Sequence, residues 1–180
     1  MTYFDTTLTN EIDIKFVPPG VFTAFNRDGE SLRKGIEVAS RLALGYGLSL
    51  GLSYTLLDAT EETGEQEIRR PPHCGRVDVN YAFAGGKGNL NLAAAYNGEM
   101  KDIAFDAVTF SQVKVDLDEY WLVTAAASYK VLDGVELFGR VENLFDAKYE
   151  EVFGFETAGV AAYAGVRLTY GGEPARPTLK

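Results

Sequence analysis

The stretch GLSLGLSYTL, Gly47–Leu56, decides the fold class. In an extended chain Leu48, Leu50, Leu52, Tyr54 and Leu56 fall on one side, and Gly47, Ser49, Gly51, Ser53 and Thr55 on the other. Successive side chains of a strand point to opposite faces, whereas the 3.6-residue turn of a helix would mix the two classes all round. The stretch is therefore a strand with one apolar face and one small, polar face.

Working outward, seven further segments read the same way, at roughly 3–16, 31–44, 71–83, 88–98, 117–131, 134–143 and 160–170. From Gly75, residues Val77, Val79, Tyr81 and Phe83 oppose Arg76, Asp78 and Asn80. Leu90, Leu92, Ala94 and Tyr96 oppose Asn89, Asn91 and Ala95; Ala164, Val166, Leu168 and Tyr170 oppose Gly165, Arg167 and Thr169. Short connections at Gly45–Gly47, Ala84–Lys87 and Leu132–Gly134 alternate with long ones at about 17–30, 57–70, 99–116 and 144–159. A soluble sandwich has no reason to alternate short and long connections strictly; a transmembrane barrel does, with short periplasmic turns and long extracellular loops. With a periplasmic C-terminus every long loop falls on the outer side.

The polar face carries Glu37, Arg41, Arg76, Asp78, Glu136, Arg140, Glu142 and Arg167. An Arg facing lipid near the midplane costs about 2–4 kcal/mol, so this face must look at water, and the Leu/Val/Tyr face at lipid or a core. Tyr54, Tyr81, Phe83, Tyr96, Trp121, Tyr129 and Tyr170 recur near strand ends, as interfacial girdles do. A soluble core would use the same residues, so alternation alone leaves both readings open, and loop parity favours the membrane.

Composition narrows the function classes. A formal net charge of -9 over 180 residues, with no basic run, speaks against nucleic acid. The lone cysteine, Cys74, excludes an intrachain disulfide and says nothing of compartment. The first residues, MTYFDTTLTNEIDIKF, lack the basic and apolar regions of a signal peptide, and no run of 18 apolar residues exists for a transmembrane helix. His73 beside Cys74 lacks the further ligands that a structural metal site needs. The acidic run Asp58, Glu61, Glu62, Glu65 and Glu67 lacks calcium-loop spacing and reads as a solvated surface loop. Arg140, Glu142 and Arg167 are expected to pair with one another along a polar wall rather than to act as an acid/base set. With no nucleophile arrangement, phosphate loop or cofactor motif, the chain is not expected to be an enzyme or to carry a cofactor.

The end of the chain carries a specific signal. GRVENLFDAKYEEVFGFETAGVAAYAGVRLTY resembles the C-terminal end of TonB-dependent outer-membrane receptors of the cobalamin and siderophore type, whose penultimate strand ends in Asn-Leu-Phe-Asp-x-x-Tyr. Asn143, Leu144, Phe145, Asp146 and Tyr149 match that motif. Gly35, Ile36 and Glu37 resemble the family's Gly-Ile/Val-Glu strand, and Arg70, Pro72 and His73 approximate its Arg-x-Pro-x-His opening. Tyr163, Gly165, Leu168 and Tyr170 resemble the signal read by the barrel-assembly machinery, although GGEPARPTLK follows where family members usually stop on the aromatic.

The resemblance implies an all-β, antiparallel transmembrane meander of about eight strands. Residues 1–170 would form the C-terminal third of a 22-strand barrel, and residues 171–180 a polar tail. It implies a bacterial outer-membrane location, lipid and the assembly machinery as partners, an iron-chelate or cobalamin ligand in the intact receptor, and contact with TonB only through a plug that these residues do not include. Phe105, Phe110, Phe153 and Phe155, with Tyr149, are the candidate ligand-contact aromatics of the loops. The alternatives are a stand-alone eight-strand outer-membrane protein with a structural or adhesive role, and a soluble β-barrel that binds a small ligand.

Overall fold

Strand pairing follows the alternation. In the computed structural model, which describes residues 1–108 and 111–171, eight strands form one antiparallel sheet. They are β1 (Thr2–Thr9), β4 (Glu30–Gly45), β5 (Leu48–Thr60), β6 (His73–Phe83), β7 (Gly88–Asn97), β10 (Tyr120–Leu132), β11 (Val135–Glu142) and β12 (Ala161–Leu168), paired in that order. Two hairpins stand apart from the sheet: β2 (Ile12–Val17) with β3 (Val21–Asn26), and β8 (Met100–Phe105) with β9 (Gln112–Leu117). All four long connections leave the same end of the sheet, and the three short turns leave the other. The β4–β5 turn is tight because Gly45, Tyr46 and Gly47 all take positive φ (85°, 51° and 81°), a run that glycine makes inexpensive.

Register places the two chemistries on opposite faces. One apolar rung runs Leu42, Leu50, Val79, Leu92, Ala125, Val141 and Ala162 across seven strands. Towards the long loops lies the rung Val38, Tyr54, Gly75, Tyr96 and Trp121. Towards the short turns, Phe83 pairs with Gly88, Gly88 with Tyr129, and Tyr129 with Leu137. There the rings stack in a row, Tyr81 on Phe83 at 5.9 Å and Phe83 on Tyr129 at 6.1 Å. Trp121 and Tyr129 lie on one strand, eight residues apart, a span of about 26 Å that shortens to roughly 20 Å in height at the usual barrel tilt. Two aromatic rows therefore bracket an apolar band of membrane dimensions.

The opposite face carries Arg41, Gly51, Asp78, Ala93 and Thr124 on one rung. Arg76 pairs with Asp78 at 2.7 Å, Arg140 with Glu142 at 3.1 Å and Arg167 with Glu136 at 2.6 Å. Arg140 and Glu142 thus meet as expected, while Arg167 takes Glu136 instead, its direct cross-strand partner.

Among the described residues no second layer covers the apolar face. The accessible surface is 13214 Å² for 19.7 kDa, against about 8,600 Å² for a compact soluble chain of this mass. Among the described residues the buried apolar side chains are Ala59, Ala93, Met100, Leu117 and Tyr120, and all but Ala93 sit where the long loops meet the sheet. The described residues therefore form neither the second packed sheet nor the core of a soluble sandwich.

Two expectations change. The strand expected over 3–16 breaks at Asn10, which takes positive φ (57°), so its second half pairs with β3 instead of continuing β1. The connection expected over 99–116 holds the β8–β9 hairpin. The sheet is open: β1 and β12 each have one paired neighbour and do not pair with each other.

Candidate functional site

The long loops form a tied canopy over one end of the sheet. The acidic run read as a solvated loop is instead the centre of this lacing. Glu67 accepts a forked pair of bonds from Arg33 of β4, from Nε at 2.8 Å and Nη2 at 2.6 Å. Glu61 and Glu62 face Arg27, the residue after β3, at 4.0 and 3.4 Å, and Glu65 meets Lys114 of β9 at 2.7 Å. Arg27 also holds Asp13 of β2 at 2.7 Å. The Ile14 backbone N–H and the Arg27 guanidinium together hold the Asp13 carboxyl below its ordinary value. One acidic loop thus reaches both hairpins.

Asp102 of β8 extends the lacing to the last loop. Its carboxylate has no exposed side-chain surface. Oδ1 accepts from Arg69 Nε at 2.9 Å, and Oδ2 accepts from the Phe153 backbone N–H at 2.7 Å. The Arg69 backbone N–H donates to Lys101 O at 2.7 Å, so two adjacent bonds fix the 61–72 loop to β8. Burial raises the Asp102 carboxyl, but the Phe153 and Ile103 N–H groups and Arg69 outweigh it, and the group lies below the ordinary carboxylate range. Sequence reading missed this node. The alternation Val113, Val115, Leu117 against Lys114 and Asp116 was the available signal for the hairpin, but nothing local names Arg69 or Phe153 as partners of Asp102.

The motif ending the penultimate strand builds the last loop. Asn143 is buried and left-handed (φ 47°). Its Nδ2 donates to Ala147 O at 3.0 Å and Ala158 O at 3.3 Å, and its Oδ1 accepts from Ala147 N at 2.8 Å. One amide therefore joins both ends of the loop. The Leu144 N–H donates to Val123 O at 2.8 Å, while Phe145 is exposed. Asp146, also left-handed (φ 52°), accepts from Val160 N at 3.2 Å and pairs with Lys148. Lys148 and the Val160 N–H hold its carboxyl below the ordinary value. Tyr149 stacks on Tyr120 at 4.3 Å, and Tyr120 donates to Glu151 at 3.2 Å.

Replacing Asn143 by Ala removes both donors and the acceptor and leaves the left-handed backbone without the local side-chain hydrogen bonds that let Asn adopt it. The expected cost is about 2 kcal/mol, with new protease cleavage between residues 147 and 158. A denaturation midpoint in detergent micelles matching wild type, with no new cleavage, would contradict this role.

A cleft of ≈ 550 Å³ opens between the base of the β8–β9 hairpin and the last loop. Tyr149, Phe153 and Thr157 line it with Asp116, Asp118, Glu119, Glu150 and Glu156, and Lys148 contributes one cation. Two of the candidate aromatics, Tyr149 and Phe153, thus meet at one cleft. Phe105 ends β8, and Phe155 lies in the turn closed by its own N–H to Val152 O; both are exposed and outside the lining. Phe110 lies outside the described residues, as does the tail beyond Gly171.

His73 and Cys74 point to opposite faces of β6. His73 Nδ1 bonds the Tyr54 hydroxyl at 2.6 Å, and Cys74 donates to Asn97 at 3.6 Å. No group of three or more potential metal ligands occurs among the described residues. In β12, Tyr163 and Gly165 lie on the polar face, facing Arg140 and Phe138, and Leu168 lies on the apolar face.

Residues 1–144 match the family described as TonB dependent receptor-like, beta-barrel. The chain is 30% identical over 138 residues to the vitamin B12 transporter BtuB of Vibrio cholerae serotype O1, covering 77% of this chain and 22% of that protein. With the BtuB of Photobacterium profundum identity is 35% over 133 residues, 73% of this chain and 20% of the relative. The pyoverdine outer membrane receptor FpvA of Pseudomonas aeruginosa, bound to pyoverdine, superposes with a TM-score of 0.76 at 20% identity, over 93% of this chain and 26% of that one. The chain spans about a fifth of the length of the curated relatives it matches.

Proposed function

The chain belongs to the TonB-dependent receptor β-barrel family, and from that premise we propose that its eight strands are a section of wall in an outer-membrane receptor that takes up a siderophore or cobalamin-like ligand. The observation that carries this reading is the uncovered apolar face bracketed by two aromatic rows, backed by a face of paired charges. Lipid meets the first face and the lumen the second. The laced loops and the cleft at Tyr149 and Phe153 then lie on the outside of the cell, where ligand arrives. Tyr163, Gly165, Leu168 and Tyr170 serve as the signal for the barrel-assembly machinery. Residues 1–170 are the barrel segment and 171–180 a tail.

Taken alone, these residues are not transport-competent. Each open edge presents backbone groups that cost several kcal/mol apiece in hydrocarbon, so β1 and β12 require further strands. Coupling to TonB belongs to a plug that this sheet does not supply. Cells whose only receptor is the 180-residue chain are expected to show background uptake of a labelled siderophore or cobalamin. Uptake above that of receptor-less cells would overturn the proposal.

A further inference from the structure

We propose that the apolar groove centred on Gly75 holds one acyl chain of a membrane lipid, an inference that rests on the membrane-wall reading above. The groove measures ≈ 360 Å³ and is walled by Val38, Leu52, Tyr54, Val77, Tyr96 and Trp121. It exists because the rung Tyr54–Gly75–Tyr96 has no side chain at its centre, and because Ser40 is small on the neighbouring rung. A β-carbon on Gly75 would already touch the Tyr54 ring at 3.5 Å.

The occupant follows from what the walls do not offer. The Tyr54 hydroxyl is engaged by His73 at 2.6 Å, and the Tyr96 hydroxyl donates to Glu119; both bonds lie towards the long loops. The backbone of β4 to β7 and β10 is committed to the sheet ladder, leaving nothing for a peptide strand to pair with. A guest in the groove gains mainly apolar contact, with the Ser40 hydroxyl the one polar side chain on that face of the lining, which suits an alkyl chain over a ligand with several polar groups. The groove is also continuous with the exposed apolar band, so a chain enters it from the bilayer without crossing water. The Tyr96–Trp121 pair, 4.9 Å apart, forms its rim at the level where such rings meet headgroups.

Trp121, the single tryptophan, reports on the groove directly. The full chain would be reconstituted with phosphatidylcholine brominated on its acyl chains, then diluted into detergent until annular lipid has exchanged. A retained chain keeps Trp121 quenched after dilution. Gly75→Leu fills the groove, and occupancy is expected to fall about four-fold for each methylene excluded. Ser40→Leu fills it from the adjacent rung and serves if the glycine variant fails to fold, with circular dichroism reporting the strands. Quenching that disappears on dilution for wild type, or survives equally in a folded filled variant, overturns the proposal while leaving the membrane reading intact. Absence of quenching in a chain that floats with the undiluted vesicles overturns both.

Discussion

Replacing Asp102 by Ala is expected to free the last loop and the 61–72 loop together. The variant would strand the Phe153 N–H and remove the acceptor of Arg69. One orphaned backbone donor and one lost charge-assisted bond amount to about 3 kcal/mol of local stability. Arg69 is partly exposed and can turn to water, so the cost lies mainly with the Phe153 N–H. Hydrogen exchange at the Phe153 amide should then quicken about a hundred-fold, since local opening controls exchange there. Asp102→Asn should do nearly as much harm, because its NH₂ must face either the Arg69 Nε–H or the Phe153 N–H. Exchange at Phe153 unchanged in both variants would remove Asp102 from the role given to it.

The sign of the pH dependence follows from the depressed carboxyl. A group whose folded value lies below its unfolded one stabilises fully above the unfolded value and loses that contribution as pH falls through the folded one. For Asp102 the ordinary value is 3.8, so protection of Phe153 should hold at neutral pH and weaken only on acidification below 3.8. The Ala variant should lack that acid-dependent loss.

Strand alternation and loop parity were legible from the sequence because each depends on neighbouring residues alone. The register GLSLGLSYTL implies, with Leu50 and Leu52 on one face and Gly51 and Ser53 on the other, is the register of β5. The break at Asn10 was hidden because the alternation of Glu11 to Phe16 runs straight up to it, and only its left-handed backbone ends β1. The loop lacing was illegible for a different reason. Arg33 and Glu67 are 34 residues apart, as Arg69 and Asp102 are 33, and no local pattern joins them. Glu61, Glu62, Glu65 and Glu67 look like a solvated acidic run until the three-dimensional fold supplies Arg27, Arg33 and Lys114. Asn143 was singled out as part of a motif, yet its work, joining Ala147 to Ala158, shows only in the folded loop.

The two faces themselves can be weighed against each other with one residue on each side of a single strand. Leu92 lies on the apolar rung midway between the aromatic rows, since its partner Ala125 is four residues from both Trp121 and Tyr129. Asn91 is its neighbour on the opposite face, beside Asn80 and Ala126. In water, Leu92→Arg would be a mild change: the side chain is already 48% exposed, and surface substitutions usually stay within about 0.5 kcal/mol. In a bilayer the same guanidinium sits at the midplane and costs about 2–4 kcal/mol. Asn91→Arg points to the polar face, among residues that already include Arg76, Asp78 and Arg140, and should cost little in either setting. Denaturant titrations in bilayers should therefore show a large loss for Leu92→Arg and almost none for Asn91→Arg. Equal small losses would return the apolar face to water, and with it the outer-membrane assignment would fall; a larger loss for Asn91→Arg would reverse the two faces.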